Sequence, residues 1–136
     1  MQFWERWEPS FDDSMPIYRQ IILQFSRAFV RGDIRPGERV PSIRELSARL
    51  KVNTNTIQRA YQEMERDEMI GSKRGTGYFF TEDEVLAGKT RRTLTRESLR
   101  RFVEEMRALG CGDEDIIGEL KTFIEEKGAE ADDTIA

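Results

Sequence analysis

Two short amphipathic segments about three residues apart, followed at once by a glycine-turned hairpin, restrict this chain more than any other feature of its sequence. Ser42 and Glu45 stand at capping-box spacing, so a helix is predicted from residue 43, with Ile43, Leu46 and Leu50 as its buried stripe. Lys51-Val52 interrupts the pattern. Asn53 can then cap a further helix, in which Ile57, Ala60, Tyr61 and Met64 repeat at helical spacing until about Asp67. Such a pair matches the helix-turn-helix plan. Residues 69–73 and 78–81 read as short strands flanking Arg74-Gly75-Thr76-Gly77, where the glycines permit a tight reversal. A longer amphipathic helix precedes them over residues 16–31, with Pro16 near its first turn and Gly32-Asp33 ending it. Arg35-Pro36-Gly37-Glu38 is a turn by composition. Helix, helix-turn-helix and hairpin in that order describe a winged helix.

The rest of the chain is helical by pattern. Residues 82–93 are polar, end in Lys89-Thr90-Arg91-Arg92, and read as a linker. Leu94, Leu99, Phe102, Val103, Met106 and Leu109 line one face of a following helix. Ile116, Ile117, Leu120, Phe123 and Ile124 line one face of another, with Gly110-Cys111-Gly112 as the bend between them. The predicted fold class is thus mostly α with a small β-hairpin. Its parts are an N-terminal arm (1–15), a winged helix-turn-helix (16–81), the linker (82–93), a helical dimerisation unit (94–127) and a tail (128–136) with little to pack, expected to be disordered.

Composition removes whole classes of chemistry. The sequence has one cysteine and no histidine, so thiol–imidazole dyads, Ser-His-Asp triads and the usual zinc sets are excluded. We expect no metal and no cofactor. Carboxylate pairs such as Glu104 and Glu105 point about 100° apart on a helix and lack a pocket motif, which argues against an enzyme. No apolar run reaches the ~20 residues of a membrane span. The start, MQFWERWEPS, does not follow the basic-then-apolar order of a secretory signal, so a soluble cytoplasmic chain is expected. The net charge of −4 hides a segregation: residues 16–80 carry twelve basic and seven acidic side chains, whereas residues 81–136 carry nine basic and fifteen acidic. An acidic chain with a basic block can still bind a polyanion, because counterion release depends on local charge.

In a helix-turn-helix the start of the second helix reaches base edges. Here it reads Asn53-Thr54-Asn55-Thr56-Ile57-Gln58-Arg59, polar throughout except Ile57, which faces the core. Asn and Gln suit adenine, Arg suits guanine, and Thr offers a methyl to thymine or a hydroxyl to phosphate. A bland reading makes the stretch a polar cap on a solvated helix. Arg44, in the first turn of the preceding helix, could span a phosphate or reach a base, or could simply pair with Glu45 or Asp33. Lys73 and Arg74 at the hairpin tip suit phosphate or minor-groove contact. Gly75 and Gly77 serve turn geometry first.

The motifs PG-x-R-x-P-S-x-R-E-L (from Pro36), V-N-x-N-T-x-Q-R-A-Y (from Val52) and R-G-x-G-x-F (from Arg74) occur in that order. Together they make residues 16–81 closely resemble the DNA-binding domain of the GntR family of bacterial transcription regulators. Length and pattern over 94–127 resemble the YtrA subfamily, with its short two-helix extension. The resemblance implies DNA contact by Arg44, Asn53 to Thr56, Gln58 or Arg59, and Arg74 with Gly75; Ser42, Lys73 and Gly77 are counted with them. Two departures matter. Glu68 stands where relatives place glycine, so the end of the recognition helix is expected to be built differently. Thr54 stands where relatives carry arginine or proline, so the base preference cannot be copied from them. Cys111, where relatives tend to have an aliphatic residue, reads as a small hydrophobe rather than a redox switch.

Two helices with one apolar face each need a partner: the economical one is a second copy, and the alternative is that the pair folds back on its own winged helix and leaves a monomer. The expected function is therefore a homodimeric regulator, a repressor by resemblance, on a palindromic operator that controls its own operon and a transporter operon. The alternative is a protein-interaction module built on a winged helix that binds no DNA. The segment after the wing is too short to enclose a typical metabolite pocket, and no cluster of ligand-type residues announces an effector site.

Overall fold

A computed structural model describes residues 2–8 and 10–135, with side chains through residue 129. The element order is α1 (Phe3–Arg6), α2 (Ile17–Arg31), α3 (Ile43–Leu50), α4 (Thr54–Arg66), β1 (Ile70–Lys73), β2 (Gly77–Phe80), α5 (Glu84–Ala108) and α6 (Asp113–Ile135). The chain divides into two units, Met1–Leu94 and Thr95–Ala136. The architecture is mostly helical with a two-stranded antiparallel sheet.

In the first unit α2 buries Tyr18, Ile21, Phe25, Ala28 and Phe29, the face set by its three- and four-residue spacing. Pro16 serves as its N-cap, and its carbonyl accepts from Arg19 N and Gln20 N at 3.0 and 3.2 Å. Gly32, in the left-handed region at φ 92°, ends it. Against α2 lies α4, which buries Ile57, Ala60, Tyr61 and Met64. Phe25 is the hub of the core: its ring lies 6.4 Å from Tyr61, 5.8 Å from Phe80 of the wing and 5.2 Å from Trp7.

The N-terminal arm is thus part of the core. Phe3 stacks on Trp7 at 5.5 Å, and Trp7 is buried although its indole N–H has no hydrogen-bond partner among the described residues. The wing pairs Ile70 with Phe80, Gly71 with Phe79, Ser72 with Tyr78 and Lys73 with Gly77. The segment read as a turn near Gly37 also lends the wing a third edge. Gly37 N donates to Phe80 O, Phe80 N to Glu38 O and Val40 N to Tyr78 O, at 2.8–3.0 Å.

Three expectations need correction. Residues 84–93, read as a linker, are the start of α5. Asp83 caps it, its Oδ1 accepting from Val85 N at 2.9 Å. Leu86, Thr90 and Leu94 fall on one half-buried row, where the threonine breaks the apolar signal. The Arg91 guanidinium donates to the carbonyl of Val30 in the last turn of α2. The backbone of residues 128–135, expected to be disordered, continues α6. Ala129, Glu130 and Ala131 are good helix formers, and extending an existing helix avoids the cost of nucleation; Ala136 lies outside the described residues. The end of α4 is not built differently: Glu68 itself adopts φ 62°, the conformation for which glycine is favoured.

In the second unit, Gly110 at φ 87° turns the chain, and Cys111 N donates to Met106 O at 3.1 Å. Cys111 is half-buried. Ile116 is buried, while Leu99, Leu109, Ile117, Leu120, Phe123 and Ile124 are exposed; Phe102, Val103 and Met106 are half-buried. Among the described residues no helix is long and apolar enough to cross a membrane.

Candidate nucleic-acid interface

The turn between α3 and α4 is built by residues that stop one helix and start the next. Lys51 takes the left-handed conformation at φ 56°, Val52 N returns to Ser47 O at 3.2 Å, and Asn53 begins α4. Asn53 is a capping residue: its Oδ1 accepts from Asn55 N at 2.8 Å, satisfying a donor at the helix start. Beyond it Thr54, Asn55 and Gln58 are exposed, Thr56 is half-buried and Ile57 faces the core. Three polar side chains therefore project from the first turns of α4 while its apolar row anchors the helix. The anchor is reinforced by Tyr61, whose hydroxyl donates to the carbonyl of Pro41 at 2.7 Å. Burial, with Glu45 adding a smaller effect, holds this phenol well above its ordinary pKa, so it remains a donor.

Ser42 caps α3, its Oγ accepting from Glu45 N at 3.1 Å. The carboxylate of Glu45 lies 3.5 Å from Arg39, and Asp33 pairs with Arg31 at 2.7 Å. Both acids proposed as partners for Arg44 are thus engaged elsewhere. Arg44 is exposed, with no ion pair among the described residues. It lines a cleft of about 330 Å³ with Ser42, Gly77 and Tyr78, which brings the start of α3 beside the wing.

Arg59 is placed differently from its neighbours. Its guanidinium stacks over the ring of Tyr18 at 4.0 Å, tying α4 to the first turn of α2. Arg19 Nε donates to the hydroxyl of the same Tyr18 at 3.2 Å. Tyr18 and Arg19 went unremarked among the candidate residues, although Tyr18 continues the 21–25–29 row of α2 and could have been found from it. Asn55, Gln58 and Arg59 share the outer face of α4 with Gln62, Glu63 and Arg66.

At the wing tip, Thr76 N and Oγ1 both donate to Lys73 O, and Gly75 and Gly77 take φ 71° and 96°, which this reversal requires. Lys73 lies over the Phe79 ring at 4.7 Å, and Arg74 is exposed beside it. Among the described residues no cluster of acids and cysteine is arranged to hold a metal ion.

Comparison with known proteins agrees with this geometry. The family model for gntR-family bacterial regulatory proteins matches residues 17–80. The HTH-type transcriptional regulator YhcF of Bacillus subtilis, itself uncharacterised, is 43% identical over 85% of this chain and 95% of its own length. The HTH-type transcriptional repressor YtrA of the same organism is 37% identical over 66% of this chain and 70% of its own. Among solved structures, a GntR family transcriptional regulator from Listeria monocytogenes superposes with a TM-score of 0.76 at 40% identity, covering 82% of this chain and 98% of that one. With its helix-turn-helix, its glycine-turned wing and relatives that are regulators rather than enzymes, the chain belongs to the GntR family of bacterial transcription regulators.

Proposed function

We propose that the chain acts in the bacterial cytoplasm as a homodimeric repressor that reads a palindromic operator through α4. The observation that carries the reading is the exposed set Thr54, Asn55 and Gln58 on the first turns of α4, with Arg44 beside the wing and in no ion pair among the described residues. Thr54, Asn55 and Gln58 enter the major groove, Arg44 reaches a base edge or phosphate, and Lys73 with Arg74 rests on the backbone or in the minor groove. Asn53 and Ser42 fix helix ends for the neighbours that make the contacts. Arg59, stacked on Tyr18, acts at the edge of the interface. The exposed apolar row Leu99, Leu109, Ile117, Leu120, Phe123 and Ile124 supports a second copy as the covering partner. A two-fold dimer sets two recognition helices about 34–36 Å apart, or a multiple of that distance. Likeness to the repressor YtrA favours repression, and the subfamily resemblance points to the protein's own operon and a transporter operon as targets.

The test is capture of sheared genomic DNA by the purified protein, sequencing of the retained fragments, and titration of those fragments against salt. The expected result is a palindromic consensus whose affinity falls steeply as salt rises. Absence of enrichment over bulk DNA, in buffer and in cell extract alike, overturns the reading.

A further inference from the structure

Behind the recognition helix, on the side away from Asn55 and Gln58, the first unit holds a cleft of about 300 Å³ between α2, the end of α4 and residues 86–94 of α5. We propose that this cleft takes a small net-neutral amphiphile, and that its occupancy changes operator affinity; the second half rests on the DNA-binding reading above.

The chemistry of the walls selects the ligand. Ile22, Met64, Met69 and Leu86 give apolar walls, and two methionines let them adapt to shape. Ser26 is 7% exposed, and among the described residues its hydroxyl has only the Met69 sulfur at 3.9 Å as a partner, a weak acceptor. The other hydroxyls are committed: Thr90 and Thr93 donate to Leu86 O and Lys89 O at 3.0 Å each. Water held there would find few of the two to four partners it needs. A molecule with an apolar body and one acceptor for Ser26 fits better. At the mouth stand Asp67 and Lys89, exposed, of opposite sign, and neither in an ion pair among the described residues. A ligand carrying net charge would gain from one of them and lose to the other. A net-neutral one loses nothing.

The coupling follows from where the walls lie. Met64 and Asp67 belong to the end of α4, so an occupant that spreads the cleft displaces the helix that carries Asn55 and Gln58. A ligand shifts DNA binding only as far as it prefers one arrangement over the other, which in regulators is commonly about 5- to 150-fold in affinity.

The test uses the full chain and 6-propionyl-2-(dimethylamino)naphthalene, an uncharged dye with one carbonyl acceptor that brightens in apolar surroundings. We expect saturable binding of one dye per chain, weaker binding of the anionic 1-anilinonaphthalene-8-sulfonate, and at least a tenfold loss of dye affinity in Thr90→Phe. Thr93→Phe serves as a second cleft-filling variant, and circular dichroism checks that both fold. Saturating dye should shift the dissociation constant of the captured operator by about fivefold or more in the wild type and not in either variant. Equal dye binding by wild type and both variants would place the dye on the exposed faces of α5 and α6 and overturn the cleft. Dye binding that appears only on dilution would identify a second copy as the occupant, which also overturns it. Unchanged operator affinity at saturating dye overturns the coupling. Dye-free protein that binds no operator overturns the DNA-binding reading instead, a failure the dye titration does not share.

Discussion

Tyr61 shows how one side chain sets the recognition surface. Its ring fills the core and its hydroxyl reaches the carbonyl of Pro41, so α4 is tied to the entry of α3 at a point where neither group meets water. Because burial raises the folded-state pKa, the folded protein keeps a proton that the unfolded chain releases near pH ~10. The stabilisation is complete below that pH and declines as pH rises past it. Urea unfolding of wild type and Tyr61→Phe at pH 8 and pH 11 should show a gap of about 1–3 kcal/mol at pH 8 that narrows at pH 11. A gap independent of pH would contradict the buried bond. The same scale separates readers from caps. Arg44→Ala and Asn55→Ala should each weaken specific binding by about 1–3 kcal/mol in fluorescence anisotropy, with non-specific affinity less affected for Asn55. Asn53→Ala should instead lower stability by about 0.5–2 kcal/mol, since its oxygen caps α4. If Arg44→Ala and Asn55→Ala both bind the operator as the wild type does, the interface lies elsewhere. From sequence Arg59 looked like its neighbours and Asn53 read both as a cap and as a DNA contact; the fold turns Asn53 back to its own helix and Arg59 onto Tyr18.

Elements were legible where one strong local signal decided them and illegible where the signal came from elsewhere. The apolar row Ile57, Ala60, Tyr61, Met64 and the glycines at 75 and 77 mark α4 and the wing turn from the sequence alone, and the structure places them there. The start of α5 was missed because its buried row runs through Thr90, and because α2 supplies the surface it leans on. Trp7 was missed because a ring that stacks on Phe3 and meets Phe25 edge-on obeys no period. Glu68 is the reverse case: the sequence flags a residue unsuited to its place, and the backbone adopts the strained conformation regardless, at φ 62°. Asp67 N to Glu63 O at 3.0 Å and Met69 N to Met64 O at 2.9 Å hold the chain on either side, so the junction of α4 and β1 dictates the angle. Glu68→Gly should therefore stabilise the protein by about 1 kcal/mol, the left-handed penalty less the entropy glycine adds to the unfolded chain. Differential scanning calorimetry should show a rise of about 4–8 °C for each kcal/mol gained. A lower melting temperature would mean that Glu68 makes a compensating interaction.

For the whole molecule, the unequal burial of the two units is the governing fact. The first unit closes a core around Phe25, whereas the second leaves Leu109, Ile117, Phe123 and Ile124 more than half exposed, a row that water tolerates poorly. In the proposed dimer a second copy covers this row and supplies the second recognition helix, so burial and a palindromic operator would have one solution. Two binding modules on one body gain by effective concentration, on the order of 10²–10⁴ over either alone. Phe123→Glu places a charge in the row without disturbing the first unit, since that side chain is already 57% exposed. Sedimentation should find wild type as a dimer and Phe123→Glu as a monomer at micromolar concentration. The monomer should bind the full palindrome roughly a hundredfold more weakly than wild type, yet match it on an isolated half-site. A variant that remains dimeric would move the interface off this row. One that becomes monomeric with undiminished palindrome affinity would separate dimerisation from operator recognition, and the covered row would need another purpose.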